Sequence, residues 1–305
     1  MSQVPRQMLK PESSSPAGPA EPLCETIDAW LDCYTDLPDD CPSPLRRAIR
    51  YSLLSQGKRL RPRLVLMAAE ACGGTAQAAL PAACAVEMVH AYSLVHDDLP
   101  AMDDADLRRG RPTLHVRDSE AMAVLAGDVL FGLAFELLAD RVAEPSLAGR
   151  LCGELATASN DMIAGQVYDT LPDFDAGVAP MARLEQIHRN KTGALIRCAC
   201  RMGAMCGGAD ATVLAAITAY AEAVGLMFQV VDDILDVTQT AGHLGKDANH
   251  DAVQGKLTYP ALLGLEASQA EVGRLHQVAA DALAPLGGRA DALVALSNWL
   301  SVRTR

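Results

Sequence analysis

The sequence predicts an all-α fold, built as one domain of roughly ten helices. Of its 305 residues, 50% are hydrophobic and 21% charged, which is ordinary for a globular chain that buries a sizeable core. Aromatic residues make up only 4%, while alanine and leucine abound, a composition typical of helices packed through small side chains. Apolar residues recur at intervals of three and four, and no segment alternates as a half-exposed strand would.

The first predicted helices are separated by breaks rich in proline and glycine. Apolar residues have helical spacing from Leu23 to Leu37, where "PDDCPSP" interrupts the pattern. The spacing resumes from Pro44 to Leu54 and again from Leu64 to Ala71, and "GG" ends it. The basic stretch "GKRLRP", residues 57–62, therefore lies at a junction between two helices.

A central helix is predicted from Ala82 to Asp98, because this segment has no glycine or proline and is apolar on nearly every side. Pro100 is incompatible with an unbroken continuation, so the helix ends near Leu99. Further helices are predicted at Ser119–Ala143, Ser146–Tyr168, Met181–Met205, Ala211–Val237 and Thr258–Ala267, with a last pair towards the C-terminus.

Residues 1–22 predict a disordered tail. They contain five prolines together with serine and glycine, and they lack the apolar region of a signal peptide. Residues 23–305 form the predicted folded domain. No stretch of about twenty uninterrupted apolar residues occurs, so we expect no membrane span.

Charge and cysteine usage restrict the possible partners. A net charge of −12 repels nucleic acid, and an anionic ligand must therefore meet a local basic cluster or a metal ion. The nine cysteines are an odd number without a CxxC pair. Reduced thiols in a cytoplasmic protein are expected rather than disulfides or zinc ligands.

One acidic cluster lies in "FQVVDDILDV", residues 228–237, among apolar neighbours. On a helix, Asp232 and Asp236 share one face, with side-chain origins about 6 Å apart, so they can hold the same cation. Carboxylates buried together are costly unless their charge is neutralised. Aspartates without histidine or cysteine suit Mg²⁺ or Mn²⁺, and Mg²⁺ commonly completes its coordination with water and phosphate oxygens.

A second acidic cluster precedes it in the chain, in "HDDLPAMDDADLRR", residues 96–109. Asp97 and Asp103 are six residues apart, which on a continuous helix would separate them by roughly 120°. Because Pro100 ends the helix, "LPAM" can turn back and place Asp103 beside Asp97, with Asp98 and Asp104 as further candidates. The two clusters together predict a metal-assisted site for a phosphorylated ligand.

Basic residues gather near these clusters in a chain that is otherwise acidic. Arginine offers a planar fork to phosphate oxygens, and lysine offers a point charge. His90 lies seven residues before Asp97, two turns away on nearly the same helix face, so it can look into the same cavity. The basic candidates are Lys58, Arg59, Arg61, Arg108, Arg109, Arg111, Lys191, Lys246 and Lys256.

Six ordered motifs resemble those of trans-prenyl diphosphate synthases, most closely farnesyl diphosphate synthases of the bacterial type. They are "GKRLRP", "EMVHAYSLVHDDLPAMDDADLRRGRPTLH", "LAGD", "KTGALI", "FQVVDDILD" and "GKLTYPALLGLE". The resemblance covers Leu23 to Arg305. It implies a single-domain, isoprenoid-synthase-type bundle of ten or more helices around a central cavity. It also implies a homodimer that elongates dimethylallyl and geranyl diphosphate with isopentenyl diphosphate.

The resemblance further implies roles for individual residues. We call residues 97–103 the first aspartate motif and residues 232–236 the second. Three Mg²⁺ would be held by Asp97, Asp98 and Asp103 on one wall and by Asp232, Asp233 and Asp236 on the other. The allylic diphosphate would contact Arg108, Lys191, Thr192, Gln229, Lys246 and Lys256. Isopentenyl diphosphate would contact Gly57, Lys58, Arg61, His90 and Arg109. The terminal "SVRTR" resembles basic family tails that close over the isopentenyl site, and a frayed end is the alternative for Arg303 and Arg305.

The chemistry explains these residue types. Diphosphate leaves carbon only if its developing charge is neutralised, which metal ions and fixed cations do. The allylic cation must then meet a positioned double bond in the absence of water. The released diphosphate can accept the final proton, and the sequence has no obvious nucleophile, triad or nucleotide loop.

Product length is expected to depend on Tyr92 and Ser93, which lie one turn deeper than Asp97. In the family that the chain resembles, an aromatic residue five positions before the motif goes with a C15 product, so we expect farnesyl diphosphate. A geranylgeranyl diphosphate synthase is the main alternative. A terpene cyclase is disfavoured because the second motif reads "DDILD" and "GKRLRP" is present. A non-catalytic subunit is disfavoured because all the acidic residues are kept.

Overall fold

The computed structural model describes residues 21–171, 174–175, 177–242 and 257–303, and over these residues the fold is all-α, as predicted. Two short segments have other helical forms: a π-helical turn, His188–Gly193 (the π-turn), and a 3₁₀ segment, Ala284–Ala290. The α-helices are α1 Glu21–Tyr34, α2 Ser43–Leu53, α3 Leu60–Ala71, α4 Ala76–Asp97, α5 Leu114–Arg117, α6 Glu120–Arg141, α7 Pro145–Thr170, α8 Pro180–Ile187, α9 Ala194–Cys206, α10 Ala211–Gly242, α11 Tyr259–Leu263, α12 Leu265–Ala282 and α13 Asp291–Ser301.

Helix α4 is the centre of the fold. It is buried on nearly all sides and packs against α3, α6 and α9. Its N-terminus is capped by Thr75, whose side chain accepts a hydrogen bond from the backbone N–H of Ala78. The helix therefore starts before the predicted Ala82 and contains Pro81, because burial of this turn offsets the one backbone hydrogen bond that proline removes.

The C-terminal half packs around α10, which contacts α9, α12, α13 and the π-turn. The segment predicted as a single helix from Met181 to Met205 is continuous, but the π-turn interrupts its α-helical hydrogen bonding. The segment predicted as a helix from Thr258 to Ala267 is divided by Gly264, whose φ of 83° ends α11 and lets α12 start in a new direction.

A short hairpin follows the first aspartate motif. Strand β1, Leu107–Arg108, pairs antiparallel with β2, Arg111–Pro112, and two residues connect them. Both connecting residues, Arg109 and Gly110, have positive φ, 53° and 74°, as two-residue hairpin turns favour. The sequence showed no strand pattern here because strands of two residues are too short to alternate.

Three helical segments of the described residues are long and apolar enough to cross a membrane, judged by length and composition alone: Ala76–Asp97, Glu120–Arg141 and Ala211–Thr238. In the first segment, 78% of an apolar stretch of 18 residues is buried inside the fold, and the corresponding shares are 39% and 44% in the other two. The expected absence of a membrane span stays a prediction. The predicted tail and the two lysines Lys246 and Lys256 lie outside the described residues, except that α1 already includes Glu21 and Pro22.

Candidate active site

The first aspartate motif folds back on itself where α4 ends. Asp98 caps the helix, and the backbone N–H of Asp103 donates to the carbonyl of Asp97 over 2.9 Å. The turn around Pro100 therefore returns Asp103 to Asp97, as the sequence predicted. Burial raises the pKa of Asp97 to about 6, the negative charges of Asp103 and Asp98 add to the rise, and Lys191 and Arg108 oppose it.

Asp98 has a different environment from its neighbour Asp97. It is buried, and its two carboxylate oxygens accept hydrogen bonds from Nε of Arg108 over 2.8 and 3.0 Å, with Nη2 a further 2.7 Å from Oδ1. This forked pair raises the pKa of Arg108 against the opposing effect of its burial. In this structure the Asp98 carboxylate thus fixes the guanidinium of Arg108, and its predicted role as a metal ligand stays a prediction.

The second aspartate motif lies near the C-terminal end of α10. Asp232 pairs with Arg303, which also donates to the carbonyl of Phe228 over 3.2 Å and stacks on its ring. Burial raises the pKa of Asp232, and Arg303 opposes the rise. Asp236, one turn later, is exposed. Arg303 is therefore anchored on the second motif.

Asp233 is the buried member of the second motif. Its Oδ2 accepts hydrogen bonds from Nε2 of His188, over 3.2 Å, and from the backbone N–H of Tyr259, over 2.9 Å. The sequence pattern did not single out His188, since a histidine in a helical, half-apolar segment resembles an ordinary core residue.

The π-turn joins the two motifs. It carries Lys191, whose Nζ forms a 2.5 Å ion pair with Asp169 on α7, and which is close enough to Asp97 to lower its pKa. Gly165 of α7 allows this approach, because a Cβ there would collide with the backbone of Lys191. His188, the first residue of the π-turn, bonds to Asp233 of the second motif, so the turn interacts with both acidic clusters.

A basic group lies two helical turns before Asp97. Burial lowers the pKa of His90 well below its ordinary value, and the charges of Arg61 and Arg109 lower it further. Burial also lowers the pKa of Arg61. The positive charge of Arg109 lowers this pKa further, and the negative charge of Glu87 opposes the change. Nε of Arg61 is buried without a hydrogen-bond partner in the described part of the chain. These groups, with His90 neutral, form a site that an anion would stabilise.

The loop "GKRLRP" fits around this basic group. Gly57 lies so near Arg109 that a Cβ at this position would be 2.6 Å from the guanidinium, and Arg109 also donates to the carbonyl of Gln56. Lys58 is exposed, with its ammonium 5.8 Å from the ring centre of Trp299, and it lowers the pKa of Asp232. The loop therefore lies between the basic group and the second motif.

Arg59, between Lys58 and Arg61, has a structural role. Its backbone is left-handed, with a φ of 45°, and its buried side chain pairs with Asp28 over 2.7 Å and with Glu87 over 2.8 Å. These two ion pairs hold the guanidinium of Arg59 in the interior, away from the basic group around Arg61. Sequence spacing alone could not separate it from the candidate phosphate ligands.

An aromatic cluster surrounds Tyr92 beneath the first motif. Tyr92 is 8% exposed, and its ring meets Phe131 edge to face at 4.9 Å and His96 at 5.7 Å. Phe135 continues the cluster, 5.1 Å from Phe131. Ser93 instead donates its hydroxyl to the carbonyl of His90 over 3.0 Å. The sequence identified Tyr92 but not the two phenylalanines, which lie about forty residues later on α6.

The remaining predicted ligands are less defined by contacts. Thr192, in the π-turn, and Gln229, one turn before Asp233, are half-buried. A pocket between α2, α4 and the hairpin is lined by His90, Asp98, Arg108 and Arg109, among others, and encloses about 590 Å³, part of it open to solvent. Asp98 and part of the basic group thus share this pocket, whereas Asp97, Asp103 and Asp232 do not line it.

The candidate metal ligands of this site are aspartate carboxylates. Across the described ranges, no three His, Cys, Asp or Glu side chains converge closely enough to hold a metal by themselves. This arrangement does not fit zinc, which takes three or four protein ligands. It fits Mg²⁺, which binds through one or two carboxylates and takes its other ligands from water and substrate phosphate.

Comparison with known proteins agrees with this geometry. The chain is 46% identical over 290 residues to geranylgeranyl pyrophosphate synthase 11, chloroplastic, of Arabidopsis thaliana, covering 92% of this chain and 80% of that protein. It is 45% identical over 267 residues to the chloroplastic geranylgeranyl pyrophosphate synthase of Catharanthus roseus, covering 86% and 74%.

Solved structures give the same result. An FPP/GFPP synthase from Zymomonas mobilis superposes with a TM-score of 0.83 at 33% identity, covering 93% of this chain and 97% of that one. A putative farnesyl-diphosphate synthase from Marinomonas sp. MED121 has a TM-score of 0.78 at 41% identity, covering 92% and 97%. The family model for polyprenyl synthetases matches residues 42–284. The chain therefore belongs to the polyprenyl synthetase family, and its activity is prenyl transfer.

Proposed function

We propose that this chain is a Mg²⁺-dependent farnesyl diphosphate synthase, which adds isopentenyl diphosphate to dimethylallyl and then geranyl diphosphate. The observation that carries the proposal is the separation of charge along α4. Asp97 marks an acidic site, and two turns earlier Arg61 and Arg109 gather around neutral His90. In a chain with a net charge of −12, a basic group of this kind is best explained by an anionic substrate.

The acidic site would bind the allylic diphosphate. Asp97, Asp103 and Asp232 would hold Mg²⁺, which when bound would supply the positive charge that makes diphosphate a leaving group. Arg108 is already oriented by its carboxylate partner, and Lys191 projects from the π-turn, so both can hold oxygens of the same diphosphate. Cations fixed before the reaction need no reorganisation as the carbon–oxygen bond breaks.

The basic site would bind isopentenyl diphosphate. Arg61 and Arg109 can hold its diphosphate, and His90 can donate one hydrogen bond while it stays uncharged. The double bond of isopentenyl diphosphate then attacks the allylic carbon, which forms the new carbon–carbon bond. The proton lost from the adjacent carbon passes to the released diphosphate, which balances the reaction without a protein base.

The C15 product is supported by the aromatic cluster around Tyr92. The ring of Tyr92 is buried directly beneath the first motif and packs edge to face against Phe131. A growing chain that extends from the allylic site down α4 meets this floor, so elongation would stop at farnesyl diphosphate.

A C20 product is the second candidate, because several relatives with 43–47% identity carry the name geranylgeranyl pyrophosphate synthase. One assay separates the candidates: purified protein with Mg²⁺, geranyl diphosphate and labelled isopentenyl diphosphate, followed by chromatography of the dephosphorylated products. Farnesol supports the proposal, and geranylgeraniol as the main product supports the alternative. Cyclic hydrocarbon from the allylic substrate alone would indicate a cyclase, and no product would indicate a non-catalytic subunit.

We also propose that the protein is a cytoplasmic homodimer. Helices α6 and α7 expose large apolar side chains, including Leu125 at 54%, Val124 at 40%, Ile163 at 48% and Val167 at 47%. A second copy of the chain that packs against these helices would remove this surface from water.

A further inference from the structure

We propose that His188 is a positioning residue: by binding Asp233 it fixes the π-turn, and with it Lys191, against the second aspartate motif. The inference rests on the proposed prenyl transfer. It assigns to Asp233 the role of an internal anchor, which differs from the metal ligand that the sequence suggested.

One carboxylate oxygen of Asp233, Oδ2, accepts two hydrogen bonds from the protein. Nε2–H of His188 and the backbone N–H of Tyr259 both donate to Oδ2, over 3.2 and 2.9 Å. All three residues are buried, with 7% of His188, 7% of Asp233 and 1% of Tyr259 exposed. The rings of His188 and Tyr259 also stack nearly parallel, at 5.9 Å and 13°. A carboxylate in such a position is stable only while its donors remain.

Two side chains tie the π-turn to its surroundings: Lys191 pairs with Asp169 on α7, and His188 bonds to Asp233 on α10. The glycine contacts of the turn involve backbone. Gly165 of α7 lies against the backbone of Lys191. Gly225 of α10 lies against Gly193, and a Cβ added to Gly225 would be 3.1 Å from the Cα of Gly193. The turn itself replaces the regular α-helical ladder with a wider loop of backbone. His188 is the residue whose side chain ties the start of this turn to α10.

The functional consequence concerns Lys191. Its ammonium is held by Asp169 and lies close enough to Asp97 to lower its pKa, so its position relative to the first motif depends on the backbone of the π-turn. If the tie from His188 to Asp233 is lost, the turn can shift, and the cation meets the allylic diphosphate in a poorer geometry. Residues that orient the ligands of a metal–phosphate site commonly contribute 10- to 100-fold to activity.

The experiment compares His188→Ala with His188→Gln, whose amide nitrogen can reach Asp233 as Nε2 does. We expect His188→Ala to lower kcat by about 10- to 100-fold and to leave the KM for isopentenyl diphosphate within about twofold, because the basic group is untouched. We expect His188→Gln to recover kcat to within about fivefold of wild type. His276→Ala is the matched control, since His276 bonds Asn298 between α12 and α13 and should leave kcat unchanged.

Amide hydrogen exchange gives a second readout that does not require activity. Exchange in peptides covering residues 188–193 should be about tenfold faster in His188→Ala and close to wild type in His188→Gln. The inference is overturned if exchange there is unchanged in His188→Ala, if an active wild type and this variant have equal kcat, or if His188→Gln behaves like His188→Ala. If the wild type itself elongates no allylic diphosphate, the proposed function fails, and the exchange experiment still decides the role of His188.

Discussion

Replacement of Tyr92 by alanine should lengthen the product. The substitution removes a phenol ring that is 8% exposed and packed 4.9 Å from the ring centre of Phe131. The ring is larger than one isoprene unit, so the space it leaves can accept a further elongation step. We expect the main product to change from farnesyl to geranylgeranyl diphosphate, and we expect a further shift when Phe131 is also changed to alanine.

The cost in stability follows from the same contacts. Removing a buried aromatic ring from a packed core typically destabilises a protein by about 3–5 kcal/mol, and loss of the edge-to-face pair is part of that cost. Tyr92→Ala should therefore unfold at lower denaturant concentration while it keeps its helical circular dichroism at assay temperature. Tyr92→Phe is the control, because it keeps the ring and should keep the C15 product.

The assay is chromatography of dephosphorylated products after elongation with labelled isopentenyl diphosphate. Product ratios are compared at equal substrate conversion, so that a slower variant is not mistaken for a shorter-chain enzyme. If folded Tyr92→Ala still stops at farnesyl diphosphate, or if Tyr92→Phe lengthens the product as much as alanine does, Tyr92 is not the floor.

Three further substitutions and one pair of metal-site variants test the remaining assignments. Asp97→Ala and Asp232→Ala should each lower kcat by about a hundredfold or more with unchanged helical circular dichroism, and near-normal turnover in either would contradict its place in the metal site. Arg61→Gln should raise the KM for isopentenyl diphosphate by about tenfold and leave the KM for geranyl diphosphate near wild type, as steady-state kinetics would show; equal changes in both would argue against separate sites. Arg303→Gln should let Mn²⁺ bind the substrate-free protein more tightly, measured by electron paramagnetic resonance, because Arg303 neutralises Asp232; an unchanged affinity would mean that the pair does not compete with metal. Leu125→Glu should shift the protein from dimer towards monomer in sedimentation experiments, and a dimer of unchanged strength would place the interface elsewhere.

Local sequence patterns predicted the features that depend on local physics. The return of Asp103 to Asp97 follows from one proline, and the helix that precedes it follows from an apolar run without breaks. The aromatic cluster could be predicted only in part, since Phe131 reaches Tyr92 through the packing of α6 on α4 and no spacing in the chain encodes that contact. Arg59 was indistinguishable from the nearby basic residues because its buried ion pairs with Asp28 and Glu87 join segments that are distant in the sequence.

Both aspartate motifs begin with two adjacent aspartates, and the structure gives the two members different tasks. Adjacent residues on a helix point about 100° apart, so two neighbouring carboxylates have different surroundings. Asp98 and Asp233 are buried and accept hydrogen bonds from the hairpin and the π-turn, whereas Asp97 and Asp232 are half-exposed, with Asp232 paired to the C-terminal Arg303. The buried carboxylate bonds to a neighbouring element, the hairpin in one case and the π-turn in the other. In the proposed mechanism its partner would serve the metal and the substrate, so each doublet would combine one anchor with one ligand, which is a physical reason for a pair of aspartates where one would suffice to bind a cation.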